Sequence, residues 1–571
     1  MIYTLKFFQK FLFYNCFIIC AFSFCSLQAN VNPSDEALRS RILYLFQLGK
    51  DKNAFELYRN YCKEKGHHDG ELLEQIALIL IEKGFNSTIA EAQVLALFGA
   101  GISQDERLLP LLKLSILSKD PKIQLIALNF LSRLQNDEAD MALNDAMHSD
   151  FLEIRFEASF HLATKKALRI VGKIESLMQK VNEAATPLFP QFFALIGTHE
   201  AIKTLTRLIN HPNEKVRVQA IISAAEHERD DLLPIIKKLS IHHGSQQQEA
   251  LAYAFGKLKD ESSIEKLEFL TLSNIPAIRL TALHALYNLG QKTRVREITN
   301  MARELDLFAV LLLGQMEESI PLLISLSQHE QFNVRLNASI ALLKLKNEAC
   351  LPVLMEILIK DSRDLAYLET KSLGLTLTCL KGVPSAAQNF KDTEMLHELS
   401  HHLCENILIE SVHLKQNDFL KLAIKIFDSN QNALIPRLVS LLEELQTKEA
   451  IDLLKIYQQK PGAPLIRNYC NLALFRLKEP GPYRDNLEKF ITKECQAQMI
   501  EFRPLLPFAV RLNDSHFQLT PQDTSKLLIE VFEALTLKQD AFGIDMLLHA
   551  IENGNQNNKY ALAGLLMHAT R

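Results

Sequence analysis

The segment Thr393-Glu394-Met395-Leu396-His397-Glu398-Leu399-Ser400-His401 is the one stretch of this chain that reads directly as chemistry. On a helix His397 and His401 stand at i and i+4, one above the other on a single face. Two imidazoles so placed can fill two of the ligand positions of a zinc ion. Glu398 beside them has the character of a general base toward a metal-bound water. A third ligand is harder to find, because no glutamate occurs from 415 to 442. Glu405, Glu410, His413 and Asp418 could only be nominated. A polar helix facing solvent explains the same letters. Other catalytic patterns are absent: there is no Gly-x-x-x-x-Gly-Lys-Ser/Thr, no Gly-x-Gly-x-x-Gly and no Gly-x-Ser-x-Gly.

With uncharged Leu399, Ser400 and His402 and apolar Leu403 around it, the motif resembles the zincin metallopeptidase signature. The resemblance implies a zinc-dependent hydrolase as the alternative function, with His397 and His401 as ligands and Glu398 as base. The extended signature has glycine three residues past the second histidine, where this chain has Cys404. No strand is evident beside the motif to hold a substrate. The leading reading is therefore non-catalytic, with no cofactor.

The elements that must position these residues are helices. The 571 residues are 48% hydrophobic and 23% charged, with 19 glycines and 19 prolines. Ordinary usage is roughly 7% Gly and 5% Pro, so turn formers are scarce. That disfavours an all-β sandwich or barrel, which turns about every 8–12 residues. Enough apolar material is present to exclude general disorder. The net charge of −4 is spread along the chain. It gives no electropositive field, so no nucleic-acid partner is expected.

The first residues form an address. Lys6 and Lys10 precede an apolar run from Phe11 to Phe24, then the more polar Ser26-Leu27-Gln28-Ala29. This order matches a secretory signal peptide cleaved between Ala29 and Asn30. The run is short for a membrane span, which needs about 20 residues. The expected location is periplasmic or envelope-associated, with an uncleaved N-terminal anchor as the lesser alternative. No later integral membrane segment is expected. Six cysteines remain beyond the signal, with no Cys-x-x-Cys pair, and read as buried free thiols.

A repeat of about 31 residues organises the rest. Ile278-Arg279 is followed by Ala282, Ala285, Leu286 and Leu289. Val334-Arg335 and Ile466-Arg467 lead the same offsets, and Arg155 and Arg217 lead shorter versions. Gln93, Gln124, Leu188, Gln248, Asp306 and Ala366 complete the set of anchors, spaced 27 to 33 residues apart from 93 to 366. Pro110, Pro234, Pro321 and Pro352 each lie 14 residues before an anchor. Proline fits the first turn of a helix, so it marks a fixed helix start. Each unit is thus a pair of helices. The small residues at anchor +3 and +6 share one face and let neighbouring first helices approach closely. A pair this short cannot bury its apolar face alone, and stacking supplies a continuous core. The recurring anchor arginines read as a structural ladder to nearby acidic or carbonyl groups.

The pattern Asp-Pro-x-Val/Ile-Arg-x-x-Ala-x-x-Ala-Leu-x-x-Leu with a Pro-opened second helix resembles the HEAT-like repeats of the phycobilisome-lyase type. It covers about residues 80–380 and reappears around 448–478. The resemblance implies an all-α, right-handed α-solenoid that acts as a protein-binding scaffold. A bilin-lyase activity follows only from the type's name, and the signal peptide argues against it. The expected organisation is a signal at 1–29, a helical cap at 30–90, the solenoid at 91–381, a break at 382–392 and looser helical hairpins at 393–571. In such repeats the Pro-opened helices would line the concave face. Lys113, Lys203, Arg207, Lys237 and Lys238 lie on them and suggest an acidic segment of a partner protein.

Overall fold

The computed structural model describes residues 33–167, 169–239, 244–359, 403–429, 432–496, 523–536 and 540–570. All regular structure among them is helical. None of these helices is long and apolar enough to cross a membrane. The protein is an α-solenoid of helix hairpins.

The sequence marks do what their chemistry suggests. Pro110, Pro234, Pro321 and Pro352 each sit in the first turn of a second helix. A short 3-10 turn leads into each, a feature the periodicity does not signal. Asp105 and Asn347 cap two of these turns, and Asp260 caps the like turn before Ile264–Thr271, each accepting from the backbone N–H two residues on. First helices such as Glu214–Glu226, Pro276–Asn288 and Phe332–Lys344 run 13 residues. Their Ala/Leu stripe is buried: Ala282, Ala285, Leu286, Ala338, Ala341 and Leu342 have almost no exposure.

Small residues set the spacing of the first helices. A methyl group on Gly256 would lie 2.6 Å from the Ala285 Cβ, and one on Gly314 would lie 2.8 Å from the Ala341 Cα. In both cases anchor +8 of one unit meets anchor +6 of the next. First helices therefore pack directly on first helices, whereas second helices stand further apart. In a curved double layer the closer-spaced layer lies inside the bend. Small side chains put the first helices there, so the face inside the bend is not the Pro-opened layer that the resemblance implies.

The array does not end in free edges. The last helix, Asn558–Ala569, packs against both Gly70–Phe85 and Ala90–Ser103 at the other end of the chain. Gly564 and Gly99 meet so closely that a Cβ on Gly564 would sit 2.1 Å from the Gly99 carbonyl oxygen. This is the same +8 against +6 register as in the array. Counting back eight residues from Gly564 reaches Gln556, a residue type used at three of the other anchors. Asn558–Ala569 thus serves as a first helix, and Gly70–Phe85, from the opposite terminus, serves as its second. The solenoid closes into a ring through this composite hairpin.

Candidate functional site

Ion pairs span the seam. Lys559 Nζ lies 3.1 Å from Asp51 Oδ2, and Arg59 pairs with Glu552. His68 Nε2 lies 3.2 Å from the Ala541 carbonyl oxygen and 3.4 Å from Asp545 Oδ1. Its Nδ1 lies 3.2 Å from the Tyr58 hydroxyl. His67-His68 reads from sequence as a solvated pair, but closure puts the second ring into a contact that no local pattern announces.

The seam also forms a cleft of about 350 Å³. Four consecutive first helices build it: Asp523–Thr536, Asn558–Ala569, Ala90–Ser103 and Pro121–Arg133. Phe98, Ile126, Phe130 and Ile529, each nearly buried, supply apolar surface. Phe98 and Phe130 meet edge to face with centroids 6.0 Å apart. The Arg133 guanidinium lies over the Phe130 ring, 5.4 Å from its centroid. Glu533 and Glu530 stand one turn apart on the opposite wall, with Lys526 and His568 at the rim. Arg133 and Glu533 form no ion pair with each other or with any other described residue. Burial lowers the Arg133 pKa. Burial, reinforced by Glu530 and opposed by Arg476, raises that of Glu533.

The five basic residues nominated from sequence all belong to the second-helix layer, away from this cleft. Lys113 pairs with Glu138 at 2.7 Å, Arg207 with Glu175, and Lys237 with Asp260 at 2.8 Å. Each of these pairs joins neighbouring helix pairs. Lys203 and Lys238 are exposed.

Four anchor side chains form a ladder, whereas the buried Arg155 Nε has no hydrogen-bond partner among the described residues. Arg217 Nη1 donates to the His211 carbonyl at 2.8 Å, and Arg335 Nη1 to the His329 carbonyl at 3.0 Å. Gln93 Nε2 donates to the Ser87 carbonyl at 2.7 Å, and Gln124 Nε2 to that of Ser118. All four acceptors lie six residues upstream, in the loop entering the helix. That shared task explains why glutamine replaces arginine at some anchors.

His397, Glu398 and His401 lie outside the described residues, as do Ala29, Asn30 and the break at 382–392. Among the described residues no group of three or more His, Cys, Asp or Glu side chains could hold a metal ion. Cys62, Cys350, Cys404, Cys470 and Cys495 are free, and all but Cys62 are buried. Burial pushes the Cys350 thiol up to about 12, which disfavours the reactive thiolate.

No family profile matches this chain, and no curated relative does. Solved structures give similarities of fold. The complex of CpcE and CpcF of phycocyanin lyase from Nostoc sp. PCC7120 is 12% identical, with a TM-score of 0.27, over 52% of this chain and 96% of that one. Kap121p bound to Pho4p is 11% identical, with a TM-score of 0.26, over 95% of this chain and 66% of that one. Kap95p, in its complex with RanGDP, is 12% identical, with a TM-score of 0.25, over 92% and 81%. The described residues form an α-solenoid of helix hairpins. Along the solenoid the anchors, Pro-opened second helices and small-residue seams recur.

Proposed function

We propose that this chain is an exported, non-catalytic scaffold that holds another protein against its second-helix layer. The observation that carries the reading is a repeated apolar display. Leu114 and Leu117, at positions −10 and −7 from the anchor Gln124, are 48% and 75% exposed. Phe269 and Leu272, at the same positions before Arg279, are 49% and 79% exposed. Met141 extends the first patch, one turn beyond the Glu138 that takes the Lys113 ammonium. Large apolar side chains grouped on a surface favour a protein partner. The acidic partner segment suggested by the basic residues would meet Lys203 and Lys238, since Lys113, Arg207 and Lys237 already face carboxylates.

Site-specific photo-cross-linkers at 114 and 269 in cells test the reading. We expect one shared adduct, lost when Leu117→Asp and Leu272→Asp are combined. Adducts indifferent to those substitutions would remove the scaffold reading. Lys203→Glu with Lys238→Glu tests the acidic segment through the same adduct. Export is tested by N-terminal sequencing of the mature chain, expected to begin at Asn30. Metal analysis tests the zinc alternative: stoichiometric zinc that His397→Ala removes would establish it, and metal-free protein would end it.

A further inference from the structure

The cleft at the seam has three properties that ordinary surface hollows seldom combine. Its apolar surface comes from nearly buried side chains, two of them aromatic. Its two walls carry opposite charges that form no ion pair with each other, Arg133 on one side and Glu533 on the other, beside a Glu530 that already faces Arg476 at 3.7 Å. Its walls come from both ends of the chain, so it exists only while the ring is closed.

Opposite charges held apart across an apolar surface are complementary to a ligand that carries both charges with an apolar group between them. Both residues remain exposed, yet partial desolvation disfavours the charged form of each side chain. A counter-charge brought by a ligand would relieve that penalty. The volume of about 350 Å³ lies at the small end of ligand sites. It suits one apolar side chain with the stems of two neighbours, not a folded domain.

We propose that the cleft is a peptide-binding site assembled by ring closure, taking a short partner segment with a basic side chain toward Glu533, an acidic one toward Arg133, and an apolar one between them against Phe98 and Phe130. The scaffold reading supplies only the source of the peptide. The cleft itself is separate from the Leu117 and Leu272 surface and is tested without any partner. Because both chain ends contribute walls, peptide binding and closure are linked: whatever binds the closed ring stabilises it.

The test is isothermal titration of the full mature chain with the capped tripeptide acetyl-Lys-Leu-Glu-amide. We expect saturable one-to-one binding in the sub-millimolar range. Glu533→Gln should weaken it about tenfold or more, and a peptide with norleucine in place of lysine should lose that discrimination. Arg133→Ala should weaken it similarly, and discrimination should vanish with glutamine in place of the peptide glutamate. Circular dichroism checks that both variants fold, and Glu530→Gln is a second variant on the acidic wall. No saturable binding at millimolar peptide, or binding unchanged in both Glu533→Gln and Arg133→Ala, overturns the proposal. Leu117→Asp with Leu272→Asp should leave the titration unchanged. Failure of the cross-linking experiment with the titration intact removes the scaffold reading alone, and the converse removes the cleft alone.

Discussion

Seven first helices end on a residue in the left-handed region, eleven positions after the anchor: Gln104, Lys166, Glu228, Lys259, Gly290, Lys346 and Lys478. At most of them the two N–H groups past the helix turn back onto its last carbonyls; Lys259 N donates to Gly256 O and Asp260 N to Phe255 O. Only Gly290 is free of the steric penalty there, roughly 1–2 kcal/mol for an L side chain. Glycine's greater freedom in the unfolded chain offsets part of any gain, by roughly 0.5–1 kcal/mol. Lys259→Gly and Lys346→Gly should therefore each stabilise the protein by about 0.5 kcal/mol, read as a higher urea midpoint. A lower midpoint for both would contradict the assignment. Ionisation gives a second outcome at this scale. Glu533 is raised mainly by burial, so the folded chain loses stability as pH rises through its pKa. Glu533→Gln should raise the melting temperature at pH 7, with the advantage gone below about pH 4, under the ordinary glutamate value. Asp428 runs the other way. Lys460 holds it below the usual carboxylate range, so its contribution is present above the ordinary aspartate pKa and fades as pH falls through its folded value.

The joint between one hairpin and the next depends on the anchor side chain. Its bond to the carbonyl six residues upstream fixes how the loop enters the first helix. A hydrogen bond of this kind contributes about 0.5–1.5 kcal/mol. Arg335→Ala should lower stability by about 1 kcal/mol in urea unfolding, and Arg335→Gln should recover most of it, as Gln93 and Gln124 make the same bond. Equal losses in both variants would mean the bond contributes nothing. First and second helices were legible in the sequence because each depends on local physics: a 3.6-residue stripe for one, a proline start for the other. The helix Tyr483–Glu494 is less legible, though Tyr483, Leu487, Phe490 and Ile491 are buried at helical spacing. Pro480-Gly481-Pro482 just before it dominates a reading by turn formers. The cleft was not legible at all. Its residues lie in four helices drawn from both chain ends, and only Gly564, eight after Gln556, hints that the last helix belongs to the array.

An open solenoid leaves an apolar face at each end and needs caps to cover them. This chain covers each end with the other. The ion pair between Lys559 and Asp51 closes a loop of 508 residues, and such contacts carry no signature in local sequence. The closest approach is Gly99 with Gly564, where there is no space for a side chain. Gly564→Leu would force the last helix away from Ala90–Ser103. Because hairpins on either side keep their own neighbours, the expected result is an opened ring with helicity nearly unchanged. Small-angle scattering should then report a larger radius of gyration, and proteases should gain access to the last helix. Gly256→Leu is the matching control, since a Cβ there also meets the next first helix, at Ala285. That site has packed units on both sides and no free end to swing away. Overpacking there should appear as a loss of about 1–3 kcal/mol in stability with no change in radius of gyration. If Gly564→Leu behaves like Gly256→Leu, the ends are no freer to part than any other joint. If it opens the ring as expected, closure is a separable step, and the tripeptide should bind the wild-type chain and not the opened one.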